Sequence, residues 1–284
     1  MVDMKRKQTA NPFAKKDDRI GIKSIETGMR LLIALTEDTR PQSLKEISRR
    51  AQMHPAKAHR YLVSYAKSGV VDQDQITGHY HFGQLALKIG VTALGGLNVV
   101  RISAPELARL RDETEITAAL GIWGPGGAAH ILIEETPRRA IVKSRLGAAL
   151  PTCTSATGAL FVAFLPRDLT QHLVDQELAS AAKSAAELTQ KHEEFEALLS
   201  TIRKRRMSRV MGDFAPGVHA LGAPIFDHTG AIVATITILA AAGEFDPSFN
   251  GPFAKRLSEA AKSVSLKMGW TDDTMHEHIS PRRT

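Results

Sequence analysis

Cysteine is nearly missing: Cys153 is the only one in 284 residues. That excludes an intrachain disulfide and a Cys-rich zinc finger, and fits a reducing compartment. Aromatic residues are scarce, at 5%, with two Trp and three Tyr. No apolar run reaches the ~18 residues of a membrane-spanning helix; the longest candidate, 231–242, is shorter and is broken by Thr235 and Thr237. Residues 1–21 are polar and charged, read as a flexible basic arm, and lack the apolar core of a secretion signal, so a cytoplasmic location is expected. There is no internal repeat, and no cluster with metal-ligand spacing. His192 and Glu196 stand four apart, but two ligands do not make a metal site, so neither a metal nor a cofactor is expected.

The charge that is present is uneven. Residues 1–95 hold 16 Lys+Arg against 9 Asp+Glu, whereas residues 96–284 hold 21 of each, so the net +7 sits in the first third. One end is built to meet a polyanion and the other is not. At about 150 residues per domain the length allows two domains, each with its own core.

Periodicity places the elements. Ser24 is a candidate N-cap for a first helix carrying Ile25, Met29, Leu32 and Ile33, which Pro41 ends. Ser43 and Glu46 form a capping-box pattern opening a second helix. Pro55 starts a third, which runs to about Ser68 before Gly69, with Ala58, Tyr61, Leu62, Tyr65 and Ala66 inward. A hairpin follows through Thr77-Gly78 and the alternating His79-Tyr80-His81-Phe82, so residues 22–84 read as a winged helix-turn-helix. Residues 85–114 read as a helical connector with a second capping box at Ser103 and Glu106. Beyond it, strands at 116–123, 128–134, 140–144, 218–226 and 231–240 mix with helices at 155–165, 169–178, 185–205 and 249–268. Residues 115–270 thus form an α+β domain with an antiparallel sheet, before a polar tail, 271–284.

The N-terminal motifs are Lys23-Ser24-Ile25-Glu26, Leu44-Lys45-Glu46-Ile47, Pro55-Ala56-Lys57-Ala58-His59-Arg60-Tyr61-Leu62, Gly69-Val70-Val71 and Thr77-Gly78-His79-Tyr80. Further on stand Ser144-Arg145-Leu146-Gly147, Ser155-Ala156-Thr157-Gly158, Ala163-Phe164-Leu165-Pro166, Pro216-Gly217-Val218 and Ala223-Pro224-Ile225-Phe226-Asp227. In this order and spacing the chain resembles the IclR family of bacterial transcription regulators along nearly its whole folded length. The resemblance implies a winged helix-turn-helix joined by a linker helix to a GAF-like effector-binding domain, assembled as a dimer or a dimer of dimers. The chain departs from the family pattern at Ala56-Lys57, where many relatives carry Ser-Thr, at Ala159, and at Leu239-Ala240-Ala241 in place of Ser-Gly-Pro.

Candidate DNA contacts are the outward residues Ala56, Lys57, His59, Arg60 and Ser64 of the third helix, with Ser43 at the start of the helix before it. The plainer reading of that face is a solvated basic surface; the charge split and the hairpin favour DNA. His79 and His81 are expected to project from the wing while Tyr80 and Phe82 pack inward. Candidate effector contacts are Thr152, Cys153, Thr154, Ser155, Ala156 and Thr157, which open a helix where free N–H groups and hydroxyls can hold a small carboxylate; simple N-capping is the alternative. Ala119, Gly121 and Trp123 on a neighbouring strand, Thr235 and Thr237 on the last strand, and Asp213 and His219 around the Pro216-Gly217 turn complete the set. Cys153 lacks the context of a nucleophile. Arg203-Lys204-Arg205-Arg206 reads as cations at a helix C-terminus rather than a nucleic-acid patch.

The expected function is a regulator that binds a palindromic operator in double-stranded DNA and senses a small organic acid, with the connector coupling the two. The rivals are a metabolite-transforming or metabolite-storing domain with an accessory basic module, and a nucleoid-type structural binder.

Overall fold

The computed structural model describes residues 21–38, 40–136, 146–212 and 217–271. Nearly all of the expected basic arm and tail, the strand at 140–144, and Asp213 lie outside them. The chain divides into two compact units between Gly96 and Leu97.

The first unit holds α1 (Lys23–Thr36), α2 (Leu44–Arg50), α3 (Pro55–Lys67), β1 (Val71–Gln73), β2 (Tyr80–Phe82) and α4 (Gln84–Gly95). Leu31 and Leu35 of α1, Ile47 of α2, and Ala58 and Leu62 of α3 are buried together with Val71 and Tyr80. Each large aliphatic side chain placed there contributes ~1.5–3 kcal/mol. α1 and α3 approach so closely that a Cβ on Gly28 would collide with the Tyr65 hydroxyl. The Ser43–Glu46 capping box forms as expected: Ser43 Oγ accepts from Glu46 N at 3.3 Å, and Ser43 N donates to Glu46 Oε2 at 2.8 Å. α1, in contrast, begins one residue before Ser24, with Ile22 at its N-cap and no side-chain cap. β1 and β2 pair antiparallel, and Gln42 exchanges backbone hydrogen bonds with Tyr80 at 2.8 and 2.9 Å.

The second unit holds α5 (Val99–Thr114), β3 (Thr117–Gly124), β4 (Gly127–Glu134), α6 (Ala156–Phe164), α7 (Arg167–Ala181), α8 (Ala185–Arg205), β5 (Ser208–Met211), β6 (Val218–Phe226), β7 (Ile232–Ala241) and α9 (Pro252–Lys267). Its sheet is antiparallel, in the order β4-β3-β7-β6-β5. Alternation along the strands sorts the two faces. Ala118, Leu120, Leu221, Ala223, Ile225, Ile236 and Ile238 join α5 and α9 in the larger core. Ala119, Ala220 and Leu239 face the other way, against Ala156 of α6.

The expected connector, 85–114, spans the division: α4 belongs to the first unit, while α5 buries Leu107 and Leu110 in the core of the second. One expectation about it is corrected. Ser103 does not cap a helix, since it lies inside α5 and is fully buried; Asn98 caps α5 by accepting from Arg101 N at 3.0 Å. Glu106 instead ties α5 to α9, accepting from Ser263 Oγ at 2.8 Å and Lys267 Nζ at 2.6 Å. Burial raises its carboxyl, but hydrogen bonds from Lys267, Arg109 and Ser263 outweigh that and bring it down to about 2. Among the described residues no helix is long and apolar enough to cross a membrane.

Candidate functional site

Two regions carry the candidate residues. In the first unit, α3 starts at Pro55 behind an N-cap made by an imidazole, with His54 Nδ1 accepting from Ala56 N at 3.3 Å. Ala56, Lys57, His59, Arg60 and Ser64 are all exposed. Among the described residues Lys57 and Arg60 have no ion pair, so both charges are available to a polyanion. His59 is partly engaged, its Nδ1 lying 3.3 Å from the Tyr80 hydroxyl, which braces α3 against the wing. Ser64 Oγ donates to Arg60 O at 3.1 Å, and the Ser43 hydroxyl is taken up by the capping box, donating to Glu46 Oε2 at 2.7 Å. In the wing, Asp74 Oδ1 accepts from Ile76 N and Thr77 N at 2.8 Å each, fixing the turn. His79 and His81 are half-buried. Tyr80 packs inward as expected; Phe82, at the strand's end, stays 40% exposed.

In the second unit the sheet face under α6 carries a polar cluster. Thr157, one residue into α6, places Oγ1 3.0 Å from Thr237 Oγ1 and 3.0 Å from His130 Nε2. Thr157, Thr235 and Thr237 are each at most 2% exposed. Thr235 Oγ1 is buried without a hydrogen-bond partner. A Cβ on Gly121 would lie 2.5 Å from both Thr157 Cγ2 and Thr235 Oγ1, so only glycine lets these strands and α6 meet. Burial pushes the His130 imidazole down to about 4, keeping it neutral near pH 7.

Several expected contacts sit elsewhere. The N–H groups of Thr152, Cys153 and Thr154 are not free for a ligand, because the carboxylate of Glu177 on α7 already accepts from all three. Ser155 caps α6 by accepting from Gly158 N at 2.9 Å, and Ala156 packs on Ala119 and Leu239. Cys153 is buried, and burial, with Glu177 and Asp175 adding to it, pushes its thiol up to about 12, so it is no nucleophile. His219 pairs with Ala240 and stands two residues from Leu221, on the same side of the strand, which places it on the α5/α9 face, away from the threonines. Trp123 spends its ring on Phe161 of α6, with centroids 5.7 Å apart. A cavity of about 230 Å³ lies between β6 and α9, lined by Arg206, Pro224, Phe226, Lys262 and Trp270 among others, and holds none of the expected effector residues.

The profile of the bacterial transcriptional regulator IclR C-terminal domain matches residues 91–266, and that of the IclR helix-turn-helix domain matches residues 24–75. The chain belongs to the IclR family. It is a DNA-binding transcriptional regulator of that family. The transcriptional repressor IclR of Escherichia coli (strain K12) is 25% identical over 250 residues, covering 87% of this chain and 90% of its own. The crystal structure of Pseudomonas aeruginosa HmgR shares 36% identity at a TM-score of 0.81, over 88% of this chain and 100% of that one. An IclR homologue from Microbacterium hydrocarbonoxydans, complexed with 4-hydroxybenzoate, shares the fold at 16% identity and a TM-score of 0.51, over 86% and 98% of the two chains.

Two residues of this IclR-family domain, His130 and Glu177, are not among the expected contacts, yet they join the threonine cluster and the turn before α6. The one available signal for His130 is a lone imidazole inside the small and apolar strand Ala128-Ala129-His130-Ile131. Its depressed pKa has a consequence for stability. Between pH 6.5 and about 4 the unfolded chain takes up a proton that folded His130 refuses, so the stability present above pH 6.5 falls as pH drops through that window and levels below it. Melting from pH 7 to pH 4 should show this slope, and His130→Gln should remove its share; an unchanged slope in the variant contradicts the assignment.

Proposed function

We propose that this regulator binds a palindromic operator as a dimer or dimer of dimers in the cytoplasm, and that its C-terminal domain binds a small organic acid at the threonine cluster under α6. The observation that carries the sensing role is Thr235 Oγ1, a hydroxyl fully buried and unpartnered beside Thr157, Thr237 and a neutral imidazole. A buried donor without a partner costs ~1–3 kcal/mol, which a ligand oxygen would recover. Threonine hydroxyls can donate to a carboxylate, and the 4-hydroxybenzoate bound by the Microbacterium homologue is an acid of that kind. A panel of aliphatic and aromatic acids including 4-hydroxybenzoate, screened by thermal shift, tests the role. A stabilising acid that is recovered unchanged supports it, turnover supports the enzymatic rival, and no stabilisation by any acid contradicts it.

α4 offers a surface for assembly: its Leu87, Ile89 and Val91 are 67%, 57% and 59% exposed. A helix showing apolar side chains to water on this scale fits burial against a second copy. Leu87→Asp with Ile89→Asp should shift the protein towards monomer in sedimentation and weaken operator binding; unchanged association would place the interface elsewhere.

A further inference from the structure

The turn that leads into α6 already holds an anion, supplied by the chain itself. Glu177 Oε2 accepts from Thr152 N at 2.5 Å, while Oε1 accepts from Cys153 N at 3.1 Å, Thr154 N at 3.2 Å and Thr154 Oγ1 at 3.3 Å. Successive N–H groups converging on one carboxylate are the arrangement with which a backbone nest takes up a free anion. The turn is in turn locked to α6. Ser155 Oγ donates to Pro151 O at 2.5 Å and accepts from Gly158 N at 2.9 Å. A Cβ on Gly158 would lie 2.6 Å from Thr152 O and closer still to Pro151 O, so the first turn of α6 rests on the backbone that Glu177 grips. Between these fixed points Thr157 reaches across to Thr237 and His130.

We propose that Glu177 is a positioning residue, a built-in carboxylate that locks the 151–158 turn and thereby sets Thr157 against Thr237 and His130. The consequence for sensing rests on the threonine cluster being the effector site; the clamp itself does not. While Glu177 is in place, an effector carboxylate cannot use the 152–154 N–H groups and must find its donors among the threonines.

The chain's only cysteine lies inside the clamp and reports on it without any effector. Full-length Glu177→Gln, Glu177→Ala and Glu177→Asp would be compared with the parent in melting, amide exchange over 150–158, modification of Cys153 by a disulfide reagent across pH 7–10, and imidazole NMR of His130. In the Gln and Ala variants, exchange at 152–154 and Cys153 modification should rise by about tenfold or more, as expected for losing hydrogen bonds to a charged group. The modification profile should move to lower pH, since the Glu177 charge helps to hold the thiol up. The His130 resonances should shift, and the Asp variant, which keeps the carboxylate, should restore part of the protection. A folded Gln or Ala variant with parental exchange and modification rates overturns the clamp. Fast exchange beside an unchanged His130 signal overturns the positioning of Thr157. If the Ala variant fails to fold, the near-isosteric Gln variant decides. None of these readouts involves an acid, so failure of the effector reading leaves them standing, and the reverse holds too.

Discussion

Arg60→Ala should weaken operator binding by ~1–3 kcal/mol, roughly 5- to 150-fold, with the fold unchanged. Arg60 is exposed on α3 without an ion-pair partner among the described residues, and the helix beneath it is held by Ala58 and Leu62, which the substitution does not touch. A guanidinium there can take two acceptors of a guanine edge or fix a phosphate, and either loss falls in this range. Lys57→Ala separates the two kinds of contact, because a lysine that meets only phosphate should lower the salt slope by about one unit and leave sequence preference intact. Fluorescence anisotropy at several salt concentrations measures both. A folded Arg60→Ala protein with parental affinity removes α3 as the reading element.

Thr157→Val should abolish acid binding while leaving ligand-free operator affinity unchanged. The substitution keeps shape but strips the hydroxyl that Thr237 and His130 share, removing two buried hydrogen bonds at a cost of ~1–3 kcal/mol. Gly121→Ala attacks the same place from the sheet, driving a methyl into Thr157 and Thr235, with a similar overpacking cost of ~1–3 kcal/mol. Calorimetric titration of an acid found by thermal shift, beside an operator assay, checks both variants. Undiminished acid affinity in Thr157→Val moves the ligand out of this cluster.

The winged head is legible in the sequence because each signal there is local: a capping box, a proline start, a glycine stop and a tight hairpin lie within a few residues of what they control. Long regular elements are legible for the same reason, and α8 and β6 begin and end where their periodicity says. The Arg203–Arg206 run also keeps its plain reading: Arg203 Nε donates to Ala163 O at 2.7 Å, Arg205 lies over the Phe249 ring at 4.8 Å, and Arg206 lies over Trp270 at 5.6 Å. β5 is illegible because its four residues have no period of their own; its buried Ser208 is fixed by a bond to Ala156 O, 52 residues away. The expected effector residues do not all meet, for two physical reasons. A strand's two faces differ by one residue, so placing His219 with the threonines requires a register that only pairing with β7 supplies. A helix start looks like an open anion site until a carboxylate 25 residues further on is seen to fill it.

We propose that acid binding and operator binding are coupled, and a closed cycle of four dissociation constants tests this most directly. Operator affinity would be measured with and without saturating acid, and acid affinity with and without saturating operator, at one salt concentration. The two ratios should be equal and differ from one, with a coupling of ~1–3 kcal/mol. Ratios of one, from an acid that demonstrably binds, would contradict it.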